Sequence, residues 1–202
     1  MNVPNLNAPL LFTKTGVYGD HPWDFTPELI RHFDAEYINV DELRMRLAGA
    51  DPEDPTTFHC LAENPPNKRR LRLIAGVLTK QCLQDGQNVV VEALLNGDKR
   101  QQEHLAIAQE AGALSIHLCM DTPFELVAQR IDEAELKDCF HVPREAFKII
   151  TSGKDLLEIT HNLHDQLRDE RPNIPHLVLD GSLSTGQLIT QVDEYVENIR
   201  DF

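Results

Sequence analysis

The sequence predicts a three-layer α/β domain on a five-stranded parallel sheet. Three observations carry that expectation. Short apolar runs alternate with amphipathic helical stretches in the order β-α-β-α-α-β-α-β-α-α-β-α, the pattern of crossovers onto a parallel sheet. Val89-Val90-Val91 is a β-branched run without polar alternation, as expected of a strand covered on both faces. Leu10-Leu11-Phe12 leads through a turn containing Gly16 and Gly19 into Leu29, Ile30 and Phe33 at helical spacing. Strand, glycine loop and helix N-terminus together aim backbone N–H groups at an anion.

The elements follow in order. After a polar arm over 1–9, strand one precedes the loop 13–23, and Thr26-Pro27-Glu28 marks a helix start running to about Phe33. Residues 36–40 alternate as a second strand, and Asp41 is the candidate N-cap of the helix that Gly49 closes. Residues 50–67 read as loop. Leu71, Ile74, Ala75, Leu78 and Cys82 define a helix over 68–83, ended by Asp85-Gly86. A strand over 88–94 and a helix over 99–111 come next, then a strand over 113–120 and a helix from Thr122-Pro123 carrying Leu126, Val127 and Ile131. The charged stretch 132–143 reads as irregular, a short lid. Residues 143–169 read as mostly helical, and Leu177-Val178-Leu179 is a fifth strand before Asp180-Gly181-Ser182 and a last helix over 185–199. One domain spans 1–202.

Composition narrows the function. A net charge of −14 argues against a broad grip on nucleic acid, which needs many Lys and Arg contacts to phosphate. Lys68, Arg69, Arg70 and Arg72 form the one basic cluster, either a solvated helix face or a contact for a nucleotide or a nucleic-acid strand. Cys60, Cys82, Cys119 and Cys139 form no CxxC pair, so free thiols are expected. With no apolar span of membrane length and no leader-like N-terminus, a cytoplasmic protein is expected. In such sheets ligands bind outside the strand C-termini, here the loop 13–23, Asp41, 92–100, 121–130 and 180–182.

Several stretches resemble the P-loop kinase superfamily, in particular polynucleotide 5′-kinase and related small AAA-type nucleotide kinases. Tyr37-Ile38-Asn39-Val40-Asp41-Glu42-Leu43-Arg44 is similar to that family's strand ending in Asp, with Arg three residues on. Val89 to Arg100 is similar to its central strand and acidic residue, with the Leu-Asn-x-acidic-basic-Arg continuation. Asp121 to Arg130 is similar to the next strand exit and a helix ending in Arg, and His141-Val142-Pro143 to the segment after the lid. The resemblance covers about 10–155, with a weaker likeness at Asp180-Gly181-Ser182, which it places at a nucleotide base. It implies ATP and Mg²⁺ as cofactors, Asp41 as base, and Arg44 on an acceptor phosphate. It also implies Glu92 as the central acid and phosphate contacts from Gly16 and Gly19, with Arg100 and Arg130 either phosphate clamps or structural ion pairs; Lys14, the loop's one cation, and Arg144 are candidates to replace groups the family pattern would supply.

The departures fall together. With Gly16 and Gly19 on the family's first glycines, His21 takes the place of a later glycine, Pro22 of the loop Lys, and Trp23 of the Mg²⁺-binding Ser/Thr. Pro22 offers neither a cation nor an N–H. Glu92 replaces Asp, Leu94 stands at a polar position, and Ala134 stands where a lid Arg is expected. Lys, Arg and metal groups supply several kcal/mol of charge stabilisation in phosphoryl transfer. The expectation is a degenerate kinase that keeps an acceptor cleft for a nucleotide or phosphorylated small molecule, with a nucleic-acid end or a protein partner also open. One alternative is an active phosphotransferase with a non-standard loop, another a structural subunit reusing the fold.

Overall fold

The computed structural model describes residues 8–92, 98–137, 146, 149, 156–169 and 172–200. Its strands are β1 (Leu10–Thr15), β2 (Ala35–Asn39), β3 (Asn88–Glu92), β4 (Leu114–Asp121) and β5 (Leu177–Asp180), in one sheet ordered β2-β3-β1-β4-β5. All four pairings are parallel, with Leu11 opposite Val89 and Ser115. The central β1 has β3 on one side and β4 on the other, so the chain's direction of winding switches at its C-terminal end. That switch leaves the crevice in which such sheets bind ligands.

The sheet is covered on both faces. Even-numbered β1 residues Leu10 and Phe12 pack with Phe25 and Leu29 of α1 (Phe25–Phe33), and with Leu188, Ile189, Val192 and Val196 of α8 (Thr185–Arg200). Leu11 faces the other way, with Val89 and Val91, onto Ala75 and Leu83 of α4 (Lys68–Gln84) and Ala108 of α5 (Asp98–Ala111). Val89, Val90 and Val91 are all buried, which is why β3 carries no polar alternation.

A further apolar cluster lies over the C-terminal edge of the sheet. It joins Val17 of the β1–α1 loop to Met45 of α2 (Val40–Ala48), Leu61 of α3 (His59–Glu63), Val127 and Ile131 of α6 (Phe124–Lys137) and Leu156 of α7 (Leu156–Asp169). The loop is thus held from above by aliphatic packing.

Several boundaries differ from the sequence expectation. The stretch 50–67 contains a 3-10 turn at Pro55–Thr57 and α3. α6 continues to Lys137, so the first part of the expected lid is helical, while 138–143 lie outside the described residues. The N-cap of α2 is Asn39, not Asp41: its side chain accepts from the N–H groups of Asp41 and Glu42 at 2.9 and 3.1 Å. Asn caps as well as Asp does, and the strand ends one residue earlier than its alternation suggested. Cys60, Cys82 and Cys119 are free thiols, and Cys139 lies outside the described residues. Among the described residues no helix is long and apolar enough to cross a membrane.

Candidate functional site

The β1–α1 loop is organised by its own side chains. Asp20 is 2% exposed and turns back into the loop, where its Oδ2 accepts the Val17 N–H at 2.6 Å. A Cβ on Gly16 would stand 1.7 Å from that oxygen, so only glycine leaves room for it. The carboxylate thus occupies one backbone amide of the loop that sequence reasoning assigned to an external anion.

Lys14 supplies the compensating charge. Its Nζ lies 3.4 Å from Asp20 Oδ1 and 3.6 Å from Glu92 Oε1, and donates to His21 Nε2 at 2.7 Å. His21 Nδ1–H in turn donates to the Pro22 carbonyl at 2.8 Å, which fixes the tautomer with Nε2 as the bare acceptor. Burial alone would depress the Lys14 ammonium, but Asp20 and Glu92 outweigh it and hold its pKa above the ordinary value. Burial, then the Lys14 charge, push His21 down to about 4, so the ring is neutral at pH 7. Glu92 also accepts from the Thr26 hydroxyl at 3.1 Å. Lys14, Asp20, His21, Thr26 and Glu92 form one closed network.

The loop is tied to the strand exits on its far side. The Thr122 hydroxyl donates to the Asp20 carbonyl at 2.5 Å. Arg130 donates to the Gly19 carbonyl at 3.2 Å and to the Gly181 carbonyl at 2.6 Å, and burial lowers its pKa. A Cβ on Gly181 would meet Thr122 Oγ1 at 1.9 Å and the Asp20 carbonyl at 2.1 Å, so this crossing also requires glycine. The Trp23 indole donates to the Arg130 carbonyl at 3.3 Å.

On the acceptor side, Arg44 pairs with Asp41 at 2.7 Å, and the Tyr18 hydroxyl donates to Asp41 Oδ2 at 3.2 Å. Burial, then the Asp41 charge, raise the Tyr18 pKa well above its ordinary value. Both members of the Asp41–Arg44 pair remain partly open to solvent. Asp180 Oδ1 accepts from the N–H and hydroxyl of Ser182 at 2.9 and 2.6 Å, a local turn that lowers the Asp180 pKa. Arg100 is on α5, where burial, then the charge of Arg72, lower its pKa. Arg144 lies outside the described residues.

Lys14, Gly16, Gly19, Glu92 and Arg130 therefore meet around one loop, with Gly181 touching it, and Asp41 and Arg44 stand beside it through Tyr18. Sequence reasoning missed Asp20, His21 and Tyr18 as organisers of the site. The available signal was a carboxylate one residue after Gly19, in a loop suited to an external anion.

A cavity of about 400 Å³ opens beside the loop, between β4 and α7. Asp20, Asp121, Glu125 and Asp165 line it with Phe124 and His164, and among the described residues no Lys or Arg does. The His164 Nε2–H donates to the Thr122 carbonyl at 2.8 Å at its wall. A triphosphate entering here meets negative potential. The donor set also fits Mg²⁺ poorly. An ammonium stands between Asp20 and Glu92, and among the described residues no group of three or more His, Cys, Asp or Glu could hold a metal ion.

Comparison with known proteins places the chain in a family. The family model described as AAA domain (AAA_33) matches residues 25–156, a span that begins directly after the loop. No curated protein matches the chain. Among solved structures, a sugar kinase from Janibacter sp. is similar with TM-score 0.58 at 13% identity, covering 96% of this chain and 97% of that one. The Mycobacterium tuberculosis APS kinase in complex with AMPPNP and APS is similar with TM-score 0.54 at 19% identity, covering 94% and 98%. A chain of the Pnkp1/Rnl/Hen1 RNA repair complex is similar with TM-score 0.54 at 18% identity, covering 87% and 51%. At such identities the likeness establishes the P-loop-kinase-like fold.

Proposed function

The chain belongs to the AAA domain family AAA_33, and from that premise we propose that it is a degenerate kinase relative that binds a ligand on its acceptor side without transferring phosphate. One observation carries this reading: the buried Asp20 carboxylate turns back into the β1–α1 loop and takes the Val17 N–H at 2.6 Å, an amide that a phosphate in this loop would need. Its own cation, Lys14, is engaged with it and with Glu92. A nucleotide β-phosphate would have to expel the carboxylate and would find, among the described residues, no free lysine there. The missing loop Lys and Ser/Thr, replaced by Pro22 and Trp23, agree with that geometry. ATP–Mg²⁺ does not fit the residues present, and no step is derived through it.

The acceptor side differs. Arg44 is partly exposed and, among the described residues, pairs through one guanidinium nitrogen with Asp41, and a planar fork of this kind suits a phosphate or carboxylate. The ligand class is a nucleotide monophosphate or a phosphorylated small molecule. Thermal shift tests this. ATP–Mg²⁺ should leave Tm unchanged, whereas a bound monophosphate at 100 times its Kd stabilises by ~2.7 kcal/mol. That shift should vanish in Arg44→Ala. Labelled-phosphate transfer from ATP to a nucleoside or oligonucleotide, abolished in Asp41→Asn, would overturn the reading in favour of an active kinase with an unusual loop.

A further inference from the structure

The outward face of α4 is a second unusual surface. Leu71, Ala75, Thr79 and Leu83 bury its inner face, while Leu73 is 61% and Val77 67% exposed. Leu78, the next residue on α4, is exposed as well. Leu73 and Val77 are one helical turn apart, so they form a continuous ridge. These two are the most exposed large hydrophobic residues among those described.

The start of the same helix carries Lys68, Arg69, Arg70 and Arg72, with no acidic residue in its first turn. Cations are unfavourable at the positive end of a helix macrodipole. Among the described residues none of the four forms an ion pair, although the chain holds 33 Asp and Glu against 19 Lys and Arg. Among the described residues this charge thus meets no carboxylate, in a protein rich in them. By helical spacing, Arg70 precedes Leu73 by three residues on the ridge's side.

We propose that α4 is a docking face for an acidic amphipathic helix of a partner protein, whose aliphatic side chains cover Leu73 and Val77 and whose carboxylates meet the cations at 68–72. Charge complementarity selects this occupant. A second copy packed antiparallel on α4 would set those cations against Lys80, Gln81 and Gln84, with no carboxylate before Asp85. A nucleic-acid strand would meet the arginines, but the ridge has no aromatic side chain on which a base could stack, and Leu73 and Val77 would stay in water. Apolar residues one turn apart with flanking charge suit side-by-side packing of a second helix, ridge against groove, on α4. This surface does not depend on how the β1–α1 loop is used.

Fluorescence anisotropy with the full chain tests it. The probe is a labelled 20-residue helix-forming peptide with Leu pairs at i, i+4 and a Glu cluster at one end. A scrambled peptide and a labelled oligothymidylate are run beside it. The expected result is saturable binding of the first probe alone. It should weaken at least tenfold in Leu73→Ser/Val77→Ser and in Arg69→Glu/Arg70→Glu. All four positions are exposed, so unchanged far-UV circular dichroism and a Tm no lower than wild type should accompany the loss. No binding of the amphipathic peptide overturns the proposal. So does equal binding of the scrambled peptide, or oligothymidylate binding that needs the arginines but not Leu73 and Val77. A concentration-dependent dimer abolished by Leu73→Ser/Val77→Ser would assign the face to a second copy instead.

Discussion

Acid should unlock the loop network, because it depends on a neutral imidazole. His21 takes a hydrogen bond from an ammonium 2.7 Å away, so protonating the ring would set two cations in contact. Its pKa is pushed down to about 4, first by burial and then by Lys14. His117 is likewise pushed down to about 4, by burial and then by His176 and His104. His117 lies on β4, bonded at 2.8 Å to the hydroxyls of both Thr13 and Thr15. Both rings are nearly inaccessible, at 3% and 1% exposure, so solvent screening does not discount the effect. In the unfolded chain each titrates near 6.5, so between pH 6.5 and 4 the unfolded state binds more protons and stability falls with pH. The contribution is complete above pH 6.5 and is lost as pH approaches 4. At pH 5 the difference is about 1.5 pH units, or about 2 kcal/mol per ring and about 4 kcal/mol for the two. Urea unfolding from pH 8 to 5 measures it. His21→Gln, whose amide oxygen can still accept from Lys14, should remove about half of the pH-dependent loss, and His117→Gln a similar share. A full wild-type slope in His21→Gln would refute the neutral-ring network.

Three other perturbations probe the same architecture. Asp20→Asn keeps the acceptor for Val17 N–H but removes the charge facing Lys14. The Asp20–Lys14 contact at 3.4 Å is long and Glu92 still faces the ammonium at 3.6 Å, so the loss should sit near ~2–3 kcal/mol, below the usual cost of breaking a buried pair. Calorimetry should then read a Tm lower by roughly 4–12 °C, and an unchanged Tm would contradict the pairing. Arg130→Met keeps the stem but deletes the donors to Gly19 and Gly181, which should cost ~1.5–3 kcal/mol in urea unfolding and speed amide exchange in the β1–α1 loop. Unchanged exchange would mean that the arginine does not clasp the loop. Asn39→Ala should cost ~1 kcal/mol through loss of the α2 cap, and a larger loss in Asp41→Ala would return the cap to Asp41.

Much of the fold was legible because its signals are local. Val89-Val90-Val91 announced a doubly covered strand, and the glycine loop after Leu10-Leu11-Phe12 marked the place where a ligand would lie. The co-linear resemblance placed Asp41, Arg44 and Glu92 near that loop, where they stand. The α2 cap was misplaced because Asn39 and Asp41 are both good caps two residues apart, and only backbone geometry chooses between them. What Asp20 does could not be read from spacing. Its role depends on whether the chain folds back after Gly19, and on contacts with Thr122, Arg130 and Gly181 that are distant in sequence. Lys14 was visible as the loop's cation. Its engagement with Glu92 required the β1–β3 pairing that sets the strands side by side.

The self-filled loop also sets what an external phosphate has to overcome. Asp20 is three residues from the amide it occupies, so its carboxylate competes as a tethered ligand and not as one of many ions in solution. If the closed arrangement is favoured by the ~2–3 kcal/mol assigned above to the buried pair, the open, binding-competent fraction is about 0.6–3%, and apparent anion affinity falls by roughly 30- to 150-fold. Asp20→Ala removes the competitor and frees Lys14 to face the vacated amide, with Glu92 still holding one side of the ammonium. Isothermal titration with pyrophosphate should therefore show affinity gained by about that factor in Asp20→Ala, and most of the gain should disappear in Asp20→Ala/Lys14→Met. If Asp20→Ala binds pyrophosphate no better than wild type while remaining folded, the amides at Gly16 and Val17 do not form an anion site, and the carboxylate's place there is structural alone.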